Sequence, residues 1–189
     1  MLAAGAGSRF GGTGHKLSAT FSDDPRRAPR SVIERALASV VEADIGPVVV
    51  VTGAHADVVP EEFAGRVAIA HNQQWSAGQI TSVRTGIDAA RRLGSPRVVI
   101  GLGDQPFVEP AAWRAVSAAE GPIAVATYGG RRGNPVALDE DVWDLLPESG
   151  DEGARALMRV RPELVREVAC TGSPADIDTT EDLRRWQSN

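Results

Sequence analysis

The sequence predicts an α/β fold with a mostly parallel central sheet that is covered by helices on both faces. Two continuous apolar runs, 47–53 and 97–102, lack the alternation of a half-exposed strand and are typical of parallel strands buried on both faces. Segments with helical periodicity alternate with these runs along the chain. The 189 residues contain no internal repeat, low-complexity tract or linker, and we therefore expect one domain spanning residues 1–189.

The first half of the chain predicts one helix and two strands. Residues 18–30 are rich in proline, polar and charged side chains, which is typical of an exposed connection. Ser31 and Glu34 form a capping box that begins a helix. The apolar stripe of this helix consists of Ile33, Leu37, Val40 and Val41. The strands 47–53 and 67–70 follow.

The second half alternates helices and strands more regularly. In chain order it predicts the helix 81–93, the strand 97–102, the helix 110–119, and the strands 123–127 and 136–138. Ligands of parallel sheets bind beyond the carboxyl ends of the strands. Asn72, Asp104 and the segment 127–129 each follow a predicted strand, so we expect them to meet the N-terminal loop in one crevice.

Composition and charge exclude several classes of protein. The net charge is -5, which argues against a surface that coats nucleic acid. No apolar run approaches the roughly 20 residues of a membrane helix, and no signal segment precedes the first glycines. Cys170 is the only cysteine, so it forms no internal disulfide, and we interpret it as a buried small hydrophobe. We expect a cytoplasmic protein that engages neither nucleic acid nor a membrane.

The first sixteen residues carry a glycine-rich loop. Five glycines are interleaved with Arg9 and followed by Lys16; they are Gly5, Gly7, Gly11, Gly12 and Gly14. Glycine allows backbone N–H groups to approach an anion closely, and both cations suit phosphate. The stretch is neither a P-loop, because its lysine follows His15, nor a full dinucleotide fingerprint, because Phe10 occupies the third glycine position. We interpret it as a cradle for a nucleoside triphosphate; the alternative is a flexible terminus with solvated charges.

Two carboxylate segments are candidates for a metal site. Asp104 follows a buried strand and precedes a proline turn, where a carboxylate suits Mg²⁺, although aspartate also caps many turns. The segment 176–182 contains Asp176 and Asp178, followed by Thr179 as a cap of the final helix and Asp182. The local sequence supports capping and metal binding equally for this second segment.

The motif Leu-Ala-Ala-Gly-x-Gly-x-Arg-x-Gly, followed by lysine, resembles the signature of MobA-like nucleotidyltransferases, and most of all that of molybdenum cofactor cytidylyltransferases. The resemblance implies a three-layer, Rossmann-like nucleotidyltransferase fold of the GT-A-like kind. It assigns catalytic roles to Arg9, Lys16 and Asp104. It implies that the loop contacts the nucleotide through Leu2, Ala3, Ala4, Gly5, Gly7, Arg9 and Lys16. Family members carry a buried strand before the motif, so we expect a truncated first strand here.

Two further blocks resemble metal and nucleotide segments of the family. A Gly-Asp-x-Pro motif holds the metal there, which implies that Asp104 is a ligand. A similar Asp-x-Asp-Thr-Pro segment favours Asp178 as the second ligand and leaves Asp176 as a weaker candidate, although Thr180 stands where proline is usual. An Asn-x-x-Trp-x-x-Gly…Ser segment implies nucleotide contacts from Asn72, Gln79 and Ser82. Ser82 is equally a possible helix cap, and Trp75 is interpreted as packing.

The last two blocks concern the acceptor. The segment around Arg132 and Asn134 resembles an Arg-Gly-His-Pro motif near the acceptor site, with asparagine where histidine is usual. A Gly-Asp-x-Gly-Ala-Arg segment supplies Asp151 and Arg155, for which a helix cap and a surface arginine are the alternatives. The resemblance implies that these four residues bind the phosphorylated acceptor.

The function implied by the resemblance is Mg²⁺-dependent transfer of a nucleoside monophosphate, with CTP as the favoured donor and molybdopterin cofactor as the acceptor. Such an enzyme supplies its product to a molybdoenzyme. Sugar phosphates or a phospholactate-like acid are alternative acceptors. Two other hypotheses remain: an NAD(P)H-dependent oxidoreductase of the nicotine-blue type, which Phe10 disfavours, and a non-catalytic nucleotide-binding protein in cofactor delivery. The oligomeric state stays open.

Overall fold

The computed structural model describes residues 1–11, 14–22, 26 and 28–187. Gly12 of the predicted loop, and residues 23–25 and 27 of the predicted connection, lie outside the described residues. The strands are β1 (Leu2–Ala3), β2 (Thr20–Phe21), β3 (Arg30–Ser31), β4 (Val48–Thr52), β5 (Val67–His71), β6 (Arg97–Ile100), β7 (Ile123–Tyr128), β8 (Arg131–Asp139) and β9 (Val165–Ala169). The helices are α1 (Val32–Ala43), α2 (Gln79–Arg92), α3 (Pro110–Ala118), α4 (Glu140–Trp143), α5 (Arg155–Val160) and α6 (Thr180–Gln187).

The central layer is a mixed sheet in the order β5-β4-β1-β6-β8-β7-β9. β1, β4 and β5 pair in parallel, and β9 pairs in parallel with β7. β8 is antiparallel to both β6 and β7. Leu2 joins the two halves, because its N–H donates to the Gly101 carbonyl at 2.8 Å and its carbonyl accepts from Gly103 N–H at 2.8 Å. The prediction of a mostly parallel sheet is confirmed, with β8 as the antiparallel strand among these seven.

Both faces of the sheet are buried, as the continuous apolar runs predict. Val50 faces the side covered by α1 and α3, where it joins Leu37 and Trp113 in one core. Val51 faces the opposite side, where α2 contributes Ile80 and α5 contributes Met158, among other residues. Successive side chains of a strand point to opposite faces, so one run of valines serves both cores. The result is the three-layer arrangement expected of the fold.

The N-terminal half follows the predicted elements closely. Ser31 Oγ accepts from Glu34 N–H at 3.2 Å and the Glu34 carboxylate accepts from Ser31 N–H, which confirms the capping box of α1. β1 has only two residues, in agreement with the expected short first strand. Within the predicted connection, the described residues are not a plain exposed loop: β2 pairs with β3, and Phe21 is buried in the α1 core.

The C-terminal half departs from the prediction in three places. β8 begins at Arg131 rather than at 136, because Gly129 and Gly130 adopt positive φ angles of 57° and 80° and form a tight hairpin turn from β7. β9 was not predicted, because it is an edge strand that exposes Arg166 and Glu167. Cys170 is half-buried rather than fully buried, and its thiol contacts the Val168 carbonyl at 3.4 Å.

None of the helices in the described part of the chain has the length and apolar character required to cross a bilayer.

Candidate active site

A crevice of about 450 Å³ lies beyond the carboxyl ends of β1 and β6. The glycine loop leaves β1 on one side of this nucleotide crevice, and the N-terminal end of α2 forms the other side. The predicted nucleotide contacts that line it are Leu2, Ala3, Ala4, Gly5, Arg9, Lys16, Gln79, Ser82 and Asp104. The predicted strand-end crevice is present and brings Asp104 beside the N-terminal loop, but Asn72 and the segment 127–129, which were expected there too, do not line it.

Lys16 lies at the centre of the charged groups. Its Nζ is 2.5 Å from Asp104 Oδ2 and 2.8 Å from Asp178 Oδ1. Burial opposes the charge on this ammonium, but the two carboxylates outweigh burial and raise the pKa of Lys16 above its ordinary value. Arg9 Nη1 contacts the other oxygen of Asp178 at 3.0 Å. Lys16 thus contacts both predicted metal ligands, and Arg9 contacts one of them.

The loop conformation depends on His15, which the sequence did not single out. Its Nε2 lies 3.1 Å from the Gly5 carbonyl, and its Nδ1 accepts from Leu17 N–H at 3.4 Å. Gly7 has a φ of 64°, and a Cβ there would meet His15 and Lys16 side-chain atoms at 3.1 to 3.2 Å. Gly7 supports the turn beneath the crevice rather than lining it.

The carboxylates fit a divalent cation. Asp104 Oδ1 is buried and has no hydrogen-bond partner among the described residues, and a buried unpaired carboxylate oxygen is suited to a metal ligand. Within the described ranges there is no cluster of three or more histidine, cysteine or acidic side chains able to hold a metal. Asp104 and Asp178 are the residues that could hold a divalent cation, with substrate phosphates as its remaining ligands.

The capping and metal interpretations of the second acidic segment are compatible. Thr179 Oγ1 accepts from Asp182 N–H at 3.1 Å, while Asp182 Oδ2 accepts from Thr179 N–H at 2.9 Å. These two residues cap α6 reciprocally. Asp178, one position earlier, is left to face Lys16.

Asn72 is buried behind the crevice. Its Nδ2 donates to Thr81 Oγ1 at 2.8 Å and to Ser82 Oγ at 2.9 Å. Its Oδ1 accepts from Gln74 N–H at 2.9 Å. The side chain therefore fixes the first turn of α2 and positions Ser82; a direct nucleotide contact from Asn72 stays a prediction.

A second cavity of about 400 Å³ adjoins the first through Leu2, Gln79 and Leu102, and we call it the acceptor pocket after the predicted acceptor residues that line it. Its floor is apolar and includes Val83, Ile100, Val125, Val136 and Met158. Arg132, Asn134 and Arg155 line it as predicted for acceptor contacts, whereas Asp151 lines the nucleotide crevice instead. An apolar floor with cations at its edge suits a ligand with an apolar body and an anionic group.

The loop after β8 and α4 closes both cavities against α2. Ile80 N–H donates to the Gly150 carbonyl at 3.1 Å. Gly78 has a φ of 110°, and a Cβ at this position would lie 2.5 Å from the same carbonyl oxygen. A Cβ at Gly153 would lie 2.8 Å from Gln79 Oε1. The backbone approach at Gly78 and the positive φ of 55° at Gly153 favour glycine at both positions, and Gln79 lines both cavities.

Comparisons with known proteins agree with this geometry. A family model described as the MobA-like NTP transferase domain matches residues 1–168. A nicotine blue oxidoreductase from Paenarthrobacter nicotinovorans is 32% identical over 199 aligned positions, which cover 98% of this chain and 93% of that protein.

Solved structures show the same fold. A nucleotidyl transferase from Methanothermobacter thermautotroptrophicus has a TM-score of 0.81 at 24% identity, covering 99% of this chain and 94% of that one. Rv0371C from Mycobacterium tuberculosis H37Rv, solved in complex with manganese, has a TM-score of 0.72 at 24% identity, covering 100% of this chain and 96% of that one. The expected nucleotidyltransferase fold is confirmed.

Proposed function

We propose, since this chain belongs to the MobA-like NTP transferase domain family, that it is a Mg²⁺-dependent cytidylyltransferase. A transferase of the nucleotidyltransferase kind is supported by the family and the fold. We assign CTP as the donor and the phosphate of molybdopterin cofactor as the acceptor. The product would then pass to a molybdoenzyme.

One observation carries the proposal: Arg9, Lys16, Asp104 and Asp178 form a single connected set of charges, of which the first three line the nucleotide crevice. Cations suit the triphosphate, and carboxylates suit the metal. These four groups neutralise one another through their ion pairs. Binding of a nucleotide therefore requires Arg9 and Lys16 to exchange carboxylates for phosphates, which frees Asp104 and Asp178 to ligate the cation.

The proposed reaction needs no general base. A phosphate oxygen of the acceptor is already ionised near neutral pH. It forms a bond to the α-phosphorus of CTP while the bond to the bridging oxygen breaks, and that electron pair leaves with pyrophosphate. A divalent cation on Asp104 and Asp178 would stabilise the charge of the leaving group. The protein contributes positioning and charge neutralisation.

Each cavity has a distinct task in this reaction. The loop N–H groups, Arg9 and Lys16 would hold the triphosphate, with Gln79 and Ser82 on the α2 side. Arg132 and Arg155 would hold the acceptor phosphate at the edge of the second cavity. The shared residues Leu2, Gln79 and Leu102 mark the place where donor and acceptor would meet. We propose a cytoplasmic location, which is consistent with the single free cysteine.

The test is pyrophosphate release with Mg²⁺ across ATP, GTP, CTP and UTP, each with and without molybdopterin cofactor. Acceptor-dependent release with CTP alone is the expected result. Release with another nucleotide or acceptor would support nucleotidyl transfer but show that the assigned substrates are wrong. Nucleotide binding without release from any combination would contradict the transferase and favour a non-catalytic role in cofactor delivery.

A second candidate is favoured by the identity of 32% with nicotine blue oxidoreductase. In this alternative a hydride from NAD(P)H reduces a quinone-like dye. The loop lacks the third glycine of a dinucleotide fingerprint, because Phe10 occupies that position. Bleaching of the dye with concurrent oxidation of NADPH, and no pyrophosphate release in the first assay, would establish this candidate over the transferase.

A further inference from the structure

Gln105 is almost completely buried, with 4% of its surface exposed, and it contacts Asn134 in the lining of the acceptor pocket. It follows Asp104 directly, so it is attached to the proposed metal site. Its Nε2 donates to the Pro174 carbonyl at 3.0 Å and to Asp176 Oδ1 at 2.6 Å. Its Oε1 accepts from Asn134 Nδ2 at 3.2 Å. The side chain thus links the loop after β6, the segment before α6 and the start of β8.

The partners of Gln105 determine which way its amide faces. A proline carbonyl can only accept a hydrogen bond, so the group facing Pro174 must be the NH₂ of Gln105. This assignment holds whether or not Asp176 is ionised, because the carbonyl fixes it independently. The oxygen of Gln105 must then face Asn134. The Asn134 amide therefore points its own NH₂ at Gln105.

The backbone of Asn134 is also held in place. Tyr128 Oη donates to the Asn134 carbonyl at 2.7 Å. The preceding residue, Gly133, is so closely packed that a Cβ there would lie 3.0 Å from Pro174 and 3.2 Å from the Tyr128 ring. With its backbone and its Nδ2 both held, Asn134 has one polar side-chain atom left. That atom is Oδ1, which makes no hydrogen bond within the described part of the chain, and Asn134 lines the acceptor pocket.

We propose that Gln105 is a positioning residue that presents Asn134 Oδ1 as a hydrogen-bond acceptor in the pocket. The pocket then selects a phosphorylated molecule whose apolar body carries an N–H or O–H donor. It discriminates against an analogue that presents only acceptors, because two facing acceptors leave buried lone pairs unsatisfied. The use of this pocket for the acceptor rests on the proposed function, whereas the direction of the amides does not.

The direction of the Asn134 amide can be measured without a ligand. In the protein labelled with ¹⁵N and ¹³C, the Asn134 Nδ2 protons should show nuclear Overhauser contacts to the Gln105 side chain. Contacts from these protons to the pocket-lining methyl groups of Val136, with none to Gln105, would overturn the proposal. This measurement remains decisive even where a substitution at Gln105 destabilises the fold.

Selectivity can be measured with aryl phosphates as probes. The 2-, 3- and 4-hydroxyphenyl phosphates are compared by calorimetry with the corresponding fluorophenyl phosphates, which lack the donor. We expect at least one hydroxyl probe to bind about tenfold more tightly than its fluoro counterpart. Equal affinity within all three pairs would overturn the proposal.

Substitutions then separate positioning from bulk packing. In Gln105→Leu the Asn134 amide is free to turn, so the preference for the hydroxyl probe should fall close to unity. Gln105→Glu replaces the NH₂ that faces Pro174 and Asp176 with a second acceptor, so the fixed direction of the Asn134 amide, and with it the preference, should be lost in this variant as well. The matched control is Gln73→Leu, which removes an exposed glutamine. A preference unchanged in Gln105→Leu would overturn the role of Gln105.

The outcomes distinguish this proposal from the proposed function. If Gln105→Leu loses the hydroxyl preference but the protein never releases pyrophosphate, the transferase proposal is wrong and the proposed direction of the Asn134 amide is supported. If pyrophosphate release depends on the acceptor but both probes of each pair bind equally, the transferase proposal is supported and the proposed role of Asn134 Oδ1 is wrong.

Discussion

The nucleotide crevice and the acceptor pocket share a wall but balance their charges differently. In the crevice the Lys16 ammonium is 12% exposed and its partners Asp104 and Asp178 are 18% and 24% exposed. At the edge of the pocket, Arg159 pairs with Glu152 and Arg132 pairs with Glu167, and all four side chains are at least 44% exposed. Exposed pairs are weak and screened by salt.

This difference implies different requirements for ligands. The partly buried set in the crevice can release its internal partners only when a ligand replaces both charges, which is what a metal-bound triphosphate does. The exposed arginines of the pocket exchange partners at little cost and accept a range of anions. The selectivity of the pocket for its ligand must then come from the apolar floor and from the fixed direction of the Asn134 amide rather than from charge.

The largest effect is expected from Asp104→Asn, which removes one charge from the crevice and leaves the pocket intact. Transfer should fall by about 10³-fold, because the variant loses a metal ligand and its charge. Pyrophosphate release measures the loss, and a thermal melt checks the fold. The control is Asp88→Asn, which removes one negative charge from an exposed position on α2. Retained Mg²⁺-dependent turnover in the Asp104 variant would contradict the assigned role.

The second prediction concerns competition between Lys16 and the metal. Lys16→Met removes the cation that lies between the two carboxylates, so Mn²⁺ alone should bind about tenfold more tightly than in the wild type. Electron paramagnetic resonance of free Mn²⁺ measures this affinity in the absence of nucleotide. Arg185→Met removes a positive charge from an exposed pair on α6 and should leave the affinity unchanged.

The wild-type protein offers an independent test of the same exchange. Lys16 is the only lysine in the sequence, so labelling with ¹⁵N-lysine gives a single side-chain ammonium signal. This signal should change little with Mg²⁺ alone and should shift when CTP is added with Mg²⁺. A full shift with Mg²⁺ alone, or weaker Mn²⁺ binding in Lys16→Met, would show that the lysine does not hold the carboxylates against the metal.

The contrast between the two sites also explains what the sequence could predict. The glycine loop and Asp104 were found because their chemistry is local: each directly follows an apolar run, and strand ends of a parallel sheet converge. The capping box of α1 is likewise local, since it spans residues 31 to 34. The glycine loop and Asp104 could therefore be anticipated from the residues themselves, whereas Gln79 and Ser82 came from the family resemblance alone.

The pocket could not be anticipated to the same degree, because its polarity arises from long-range contacts. Gln105 meets Asn134 across 29 positions and Asp176 across 71 positions. No local pattern specifies which end of an amide faces a ligand. The same reason applies to Asp151, whose place in the nucleotide crevice follows from the docking of the 150–153 loop on α2.

A smaller effect is expected at the edge of the pocket. Arg155 lines the pocket, and Arg155→Met should raise the KM for a phosphorylated acceptor by only about threefold to tenfold, because the charge that is lost is exposed and screened by solvent. The KM for CTP should be unchanged. Steady-state kinetics with each substrate varied in turn separates the two constants. Equal changes in both KM values would contradict the assignment of CTP to one cavity and the acceptor to the other.

The smallest expected effect is a pH dependence of stability that arises at His15, which supports the glycine loop of the nucleotide crevice. Burial lowers the pKa of His15 below its ordinary 6.5; the Gly5 carbonyl and Asp57 oppose this, while His55 and Lys16 reinforce it. As the pH falls, the unfolded chain therefore takes up a proton at this position before the folded protein does. The contribution of His15 to stability is complete above its ordinary pKa and is lost as the pH falls toward the folded value.

His15→Gln tests this dependence, because glutamine retains an NH₂ that can donate to the Gly5 carbonyl but does not titrate. Between about pH 7 and pH 5.5 the melting temperature of the wild type should fall more steeply than that of the variant. His71→Gln, at an exposed position on the edge strand β5, is the control for the loss of a histidine elsewhere in the fold. Parallel curves for wild type and His15→Gln would show that the loop does not depend on neutral His15. Since no histidine lines the acceptor pocket in the described structure, binding of the aryl phosphates should follow only the titration of their own phosphate over the same range.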